Sequence, residues 1–272
     1  MNEPTITSVQ NPRVKDAARL RDRRHRARQG RFLIDGAREI VRALQAGIAL
    51  EQLFVCESLR RGQDADVSLK LARSKEVEIV PVTPQVFGKL AFGDRAEGLL
   101  ATAVTPRTTL AELPPLAPDP LVAVLAGVEK PGNIGAVLRT ADAAGVSAVI
   151  LADPQTDLFN PNAIRASLGT IFSLPIATAT ASETLAWLRE KQCRILTTRV
   201  EAQLTYSEAD YRGPTAVVLG SEAQGLSDAW IGADVVPVRV PMLGVADSLN
   251  VSATAAVLFY EALRQRAAAR PA

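Results

Sequence analysis

Apolar runs and turn residues divide this chain into short alternating blocks. Near the C-terminus, the β-branched run Val235 to Val240 predicts a buried strand, broken by Pro241 and Gly244. From Val251 onward, apolar residues at Val251, Ala255, Leu258, Phe259 and Ala262 follow the rhythm of an amphipathic helix. Ser248-Leu249-Asn250 therefore stands where a loop enters a helix N-terminus, a place rich in unpaired backbone N–H groups. Ser248 or Asn250 can serve there as a helix cap or as part of a ligand site, and the pattern alone leaves both open.

The N-terminal part alternates in the same way. Thr7 to Pro12 reads as the entry to a first helix, Phe32-Leu33-Ile34 as a strand, and Asp35-Gly36 as the lead into a helix through Ala46. Strands follow at Leu50 to Cys56, Val77 to Val82 and Gly98 to Val104, with helical stretches at 64–74 and Pro84 to Leu90. Residues 1–105 are thus expected to form a small α/β domain. Residues 106–120, with Pro106, Pro114, Pro115, Pro118 and Pro120, read as a linker.

Beyond it, residues 121–272 predict a second domain. Strands are expected at Leu121 to Ala126, Val146 to Ala152, Phe172 to Ala177, Arg194 to Thr198 and Thr215 to Leu219. Helices are expected from Ile134 to near Gly145, after Pro161 to Leu168, and over Thr184 to Lys191. Near-continuous apolar strands alternating with helices predict an α/β fold with a mostly parallel sheet covered on both faces. Ligands of such sheets bind beyond the C-terminal strand edges. Three loops with unusual polar residues leave those edges, at 127–139, 220–227 and 241–250.

Charge changes the picture more than overall composition does. The net charge is only +2, yet residues 1–110 carry 19 Lys/Arg against 13 Asp/Glu (+6), leaving 12 against 16 (−4) for the remainder. The excess concentrates in Arg13, Lys15, Arg19, Arg21, Arg23, Arg24, Arg26, Arg28 and Arg31, opposed only by Asp16 and Asp22. Such density suits nucleic-acid phosphates, so Arg19, Arg23, Arg24, Arg26 and Arg28 are candidate RNA contacts. A solvated basic helix is the plainer alternative. His25 is the only histidine and Cys56 and Cys193 stand far apart, which argues against a zinc site, a His-based triad or a disulfide framework. No apolar run is long enough to span a bilayer and the N-terminus lacks a signal-peptide core, so a cytoplasmic protein without membrane association is expected.

The glycines match no common nucleotide motif. Pro131-Gly-Asn-Ile-Gly135 lacks the dinucleotide spacing, no P-loop occurs, and Gly220-Ser-Glu-Ala-Gln-Gly225 has no lysine for a phosphate. Taken in order, however, Asn133-Ile-Gly-Ala-Val-Leu-Arg139-Thr-Ala-Asp-Ala-Ala-Gly145, Val217-Val-Leu-Gly220-Ser-Glu222-Ala-Gln-Gly225-Leu226, and Val240-Pro-Met242 with Ser248-Leu-Asn250-Val-Ser252 resemble the three motifs of the SpoU (TrmH-type) RNA ribose methyltransferases of the SPOUT superfamily. Gly30-Arg-Phe-Leu-Ile-Asp-Gly-Ala-Arg-Glu39 is similar to the RNA-binding domain often fused to them, an α/β module akin to ribosomal proteins.

The resemblance implies a trefoil knot in the C-terminal sheet, a homodimer, and S-adenosylmethionine held by the three loops. It implies transfer of a methyl group to a ribose 2′-hydroxyl, with ribosomal RNA favoured over transfer RNA. By position, Arg139, Asn133, Glu222, Ser248 and Asn250 carry over as active-site residues. Gly220, Val240, Met242 and Leu249 carry over as cofactor contacts, and Thr198 joins them at the preceding strand end. Arg139 corresponds to an arginine proposed to activate the hydroxyl, although a guanidinium, always charged, is better suited to fixing phosphate and stabilising a developing alkoxide. Asn133 caps its helix, contacts RNA, or does both. Glu222 organises the site or is merely a first-turn carboxylate. Two rival readings remain: methylation of a base nitrogen, and a non-catalytic RNA-binding factor, which would be expected to lack Arg139 or Asn133.

Overall fold

The computed structural model describes residues 4–92, 97–222 and 224–269. The chain forms two compact units, Met1–Pro106 with Asp157–Ser173, and Arg107–Thr156 with Leu174–Ala272.

In the first unit, β1 (Arg31–Asp35), β2 (Leu50–Val55), β3 (Glu78–Pro81) and β4 (Leu99–Val104) form a sheet in the order β1-β4-β2-β3. β4 runs antiparallel to both neighbours, while β2 and β3 pair in parallel. Leu33, Phe54, Val80 and Leu100 pack on one face against Val14, Leu20 and Phe87 from the flanking helices. The basic segment is two helices rather than one: Pro12–Arg19, capped by Asn11, and Arg23–Gln29, capped by Asp22 and ended by Gly30 in the left-handed region.

The segment 157–173 departs from the expected boundary at 121. Its aromatics explain why it joins the first unit. Phe32 of β1 stacks on Phe159 and Phe172, with ring centroids 4.6 and 6.1 Å away. Asp157 accepts two hydrogen bonds from Arg26, at 3.0 and 2.6 Å, and Arg42 donates to the Leu168 carbonyl at 2.8 Å. Phe172 accordingly lies in a 3-10 turn, Thr170–Phe172, and not in the strand expected there.

In the second unit, β5 (Leu121–Ala126), β6 (Ala148–Ala152), β7 (Ile176–Ala179), β8 (Arg194–Thr198), β9 (Leu204–Thr205), β10 (Thr215–Leu219) and β11 (Val235–Arg239) form one sheet. The order is β7-β6-β5-β10-β8-β11-β9, with every neighbouring pair parallel. β5, β6 and β10 are buried along their whole length, as their unbroken Val, Leu, Ile and Ala runs require. Helices Pro131–Ala144, Ala181–Glu190 and Val251–Ala268 belong to the same unit. The second of these starts earlier than periodicity predicts, because Thr180 and Glu183 form a capping box. On Val251–Ala268 all five expected core positions are buried.

Residues 107–120 are not a free linker. Leu110, Leu113 and Leu116 pack against the core of the second unit, and the Thr178 N–H donates to the Thr108 carbonyl at 2.6 Å. Three leucines among the prolines give this strap enough apolar surface to stay down. β8 sits between β10 and β11, so the loops that leave β10 and β11 both rise beside the end of β8. That placement, at a change in strand order, builds the site.

Candidate active site

Gly220 ends β10 under a close-packed turn. Ser221 and Gly225 exchange backbone hydrogen bonds of 3.1 and 3.0 Å, closing the turn over Gly220. A Cβ at Gly220 would lie 2.5 Å from the Gly225 carbonyl carbon, so only glycine fits. Glu222 therefore projects from a tight turn, and not from the helix start considered above; the nearest helical turn is Asp228–Trp230.

Three loops bring polar groups together at Glu222. Asn133 Nδ2 donates to Glu222 Oε1, and Asn250 Nδ2 donates to the same oxygen at 3.3 Å and to Asn133 Oδ1 at 3.4 Å. Lys130 Nζ lies 3.3 Å from Glu222 Oε2. Asn250 is also the N-cap of Val251–Ala268, its Oδ1 accepting from the Ser252 N–H at 2.9 Å and the Ser252 hydroxyl at 2.6 Å. Both readings of Asn250 hold at once. Asn133 does not cap its helix: it sits in the first turn behind Lys130 and Pro131, and its side chain turns to Glu222. Ser248 is exposed nearby, and among the described residues it makes no hydrogen bond.

Arg139 lies six residues beyond Asn133 on the same helix, about 9 Å along its axis. It is exposed, and among the described residues its guanidinium has no hydrogen-bond or ion-pair partner. The geometry leaves it outside the Glu222 network and available to an incoming anion.

Beside the network opens a cavity of about 360 Å³. Thr198, Gly220, Val240, Met242 and Leu249 all line it, as do Glu222 and Ser248. Thr198 spends its hydroxyl on the Val218 carbonyl at 3.1 Å, bridging β8 to β10. The wall also holds residues not singled out as cofactor contacts: apolar Leu219 and Leu226 of the second motif and Val238, and charged Arg199, Glu201, Arg239 and Asp247. Its apolar residues suit a purine, and its carboxylates and two arginines suit a ligand that carries charge of both signs. Arg199 and Glu201 follow the β8 end directly, a signal present in the sequence but carried by no motif.

The basic candidates divide. Arg19, Arg23, Arg24 and Arg28 are exposed, whereas Arg26 is 4% exposed. Arg26 donates to the Leu20 and Arg21 carbonyls at 2.8 and 2.7 Å and forks onto Asp157. It is a structural residue, not an RNA contact, because its whole guanidinium is committed inside the first unit.

Comparison with known proteins decides the family. Residues 120–260 match the model of the SpoU rRNA Methylase family, and residues 11–101 match that of the MRM3-like substrate binding domain. The chain belongs to the SpoU rRNA methylase family. Within it, the chain is similar to a 23S rRNA (uridine(2479)-2′-O)-methyltransferase of Streptomyces viridochromogenes, 29% identical over 94% of this chain and 90% of that protein. A crystal structure of an RNA 2′-O ribose methyltransferase superposes with a TM-score of 0.83 at 46% identity, covering 96% of this chain and 99% of that one. The SpoU methyltransferase AviRb of S. viridochromogenes, in complex with AdoMet, superposes with a TM-score of 0.86 at 28% identity, covering 96% and 100%. The SpoU match spans most of the second unit and the segment 157–173 of the first, and the substrate-binding match covers most of the remainder of the first unit.

Proposed function

We propose that this protein transfers the methyl group of S-adenosylmethionine to a ribose 2′-hydroxyl of ribosomal RNA. The observation that carries this reading is the meeting of Asn133, Glu222 and Asn250, from three separate segments of the chain, beside a cavity of about 360 Å³. The relatives' names supply the substrate class.

Bound in the cavity, the cofactor supplies a methyl group on a cationic sulfur. Leu219, Leu226, Val238 and Met242 would hold its apolar part and exclude water. Glu201, Asp247 and Glu222 are the wall residues whose charge would favour a cation, beside Arg199 and Arg239 of the same wall. Arg139, free of protein partners among the described residues, grips phosphate and stabilises the developing 2′-alkoxide, which lowers the cost of releasing the hydroxyl proton to solvent. Glu222 acts as an organiser: both its oxygens are engaged, one by two amides and the other by Lys130. It fixes the Asn133 and Asn250 amides for the incoming ribose. The exposed arginines Arg19, Arg23, Arg24 and Arg28 supply phosphate contacts from the first unit.

Further proposals follow from the same reading. A trefoil knot is supported by strand order, because β11 follows β10 in sequence yet pairs beyond β8, after which the chain returns to the helix Val251–Ala268 beside β10. An experimental backbone trace through residues 194–268 that closes without threading would remove it. Self-association is supported by Leu243 and Val245, both fully exposed, with Tyr260 and Leu263 half-exposed on the C-terminal helix. Light scattering that returns a monomer mass would remove that proposal. A cytoplasmic location accords with an rRNA substrate. Among the described residues no helix is long and apolar enough to cross a membrane. Recovery of the protein in a non-cytoplasmic cell fraction would overturn that location.

Methylation with labelled S-adenosylmethionine, followed by alkaline hydrolysis, tests the reaction. Label retained in alkali-resistant dinucleotides of ribosomal RNA is expected. Label released in single nucleotides would point instead to a base nitrogen.

A further inference from the structure

Arg199 is a charged residue in the cavity wall that neither the motifs nor the reaction scheme uses. It follows β8, and its main chain continues the sheet, the N–H donating to the Val238 carbonyl of β11 at 2.9 Å. Its side chain crosses to the loop after β10. Nη1 donates to the Leu226 carbonyl at 3.5 Å and Nη2 to the Ser227 carbonyl at 3.3 Å, while Glu201 flanks it at 3.7 Å. The side chain is partly buried, 18% exposed. One residue thus joins the ends of β8 and β11 to the turn that begins at Gly220. Each of the two hydrogen bonds is long, but a planar fork holding two successive carbonyls restrains the loop in a way that no single-point donor does.

We infer that Arg199 is a positioning residue for the cofactor cavity, holding the 220–227 turn at the distance that admits the adenosine part of S-adenosylmethionine. The inference rests on the proposal that this cavity is the cofactor site. The alternative is a direct role, in which Arg199 would pair with the carboxylate of the cofactor's amino-acid portion. Both terminal nitrogens are turned to carbonyls of the loop, so the residue acts through Leu226 and Ser227.

Calorimetry with two probes separates these roles. S-adenosylhomocysteine carries the amino-acid carboxylate, and 5′-methylthioadenosine lacks it. For Arg199→Ala, both probes are expected to bind more weakly by the same factor, about five- to tenfold, as loss of a pair of modest hydrogen bonds implies. Arg199→Lys keeps the charge without the fork and is expected to remain close to Arg199→Ala for both probes. A thermal melt of each variant confirms that the fold is retained. Weakening confined to S-adenosylhomocysteine, or full rescue by lysine, would overturn the inference in favour of direct charge pairing. Unchanged binding of both probes would overturn it outright. Failure of the unmodified protein to bind either probe would instead remove the cofactor-site reading beneath it.

Discussion

Asn133 Nδ2 donates to the carboxylate of Glu222, 89 residues further along the chain. This bond joins the first turn of one helix to the turn over Gly220, and Asn250 closes the triangle from the start of another helix. A carboxylate committed to two amides and a lysine is well placed to hold an active-site wall.

Glu222→Gln tests that role. The substitution keeps the shape and one acceptor oxygen for the Asn133 and Asn250 amides, but it removes the charge that strengthens those bonds and the partner of Lys130. The methyl-transfer rate under single-turnover conditions is expected to fall about ten- to a hundredfold, as the loss of charge-assisted hydrogen bonds implies. Thermal stability should change little, because the group lies at the surface. An unchanged rate would remove Glu222 from the site's organisation.

Gly220→Ala probes the turn. The added methyl would sit 2.5 Å from the Gly225 carbonyl carbon and 2.7 Å from its oxygen, both backbone atoms. The turn must shift, and S-adenosylhomocysteine affinity is expected to fall by about tenfold or more, in line with a typical overpacking cost. Calorimetry decides it, and wild-type affinity would contradict the packing argument.

Arg26 and Arg24 should behave oppositely although they are two residues apart. Arg26→Ala leaves Asp157 without its buried partner and should destabilise the protein by about 3 kcal/mol in denaturant unfolding. Arg24→Ala should leave stability unchanged, weaken RNA binding, and lower the salt dependence of that binding by about one ion. Reversal of these two results would place the RNA-facing surface elsewhere.

Asp35 provides a pH test. Burial raises its carboxyl to about 6; the Phe92 N–H and the Arg165 charge act against this, and Glu97 and Glu39 act with it. Its Oδ1 has no hydrogen-bond partner among the described residues. A carboxyl raised in the folded state favours folding while protonated. Its contribution is complete below the ordinary value of 3.8 and is lost as pH rises through about 6. Asp35→Asn should remove that loss, so the variant's stability relative to wild type should rise between about pH 4 and about pH 7 in unfolding titrations. A difference that stays flat across this range would show that Asp35 ionises freely.

These tests also mark what could be read from the chain before its structure. β5 and β10 were legible because only a doubly covered strand tolerates runs such as Leu121-Val-Ala-Val-Leu-Ala126. Asn250 was legible as a cap, and Asn133, Glu222 and Asn250 as a group, because their spacing follows known motifs; Ser248, drawn from the same motif, makes no hydrogen bond among the described residues. Arg26 was not, since its charge is indistinguishable from that of Arg24; only the inward-facing side of a short helix separates them. The return of 157–173 to the first unit was equally hidden, because Phe159 stands among the polar residues of a loop and Phe172 reads as the start of a strand in the second domain. The capping box of Thr180 and Glu183 was present in the sequence and simply outweighed by the apolar pattern after it. Lys130 and Arg199 gain their importance from the partners that folding brings to them.

Methyl transfer to ribosomal RNA by the wild-type protein beside Arg139→Ala tests the central claim most directly. The account predicts alkali-stable ribose label for the wild type, and loss of most of that label in the variant, with S-adenosylhomocysteine binding retained because Arg139 lies outside the cavity wall. Full transfer by Arg139→Ala, or label that never reaches ribose, would contradict it.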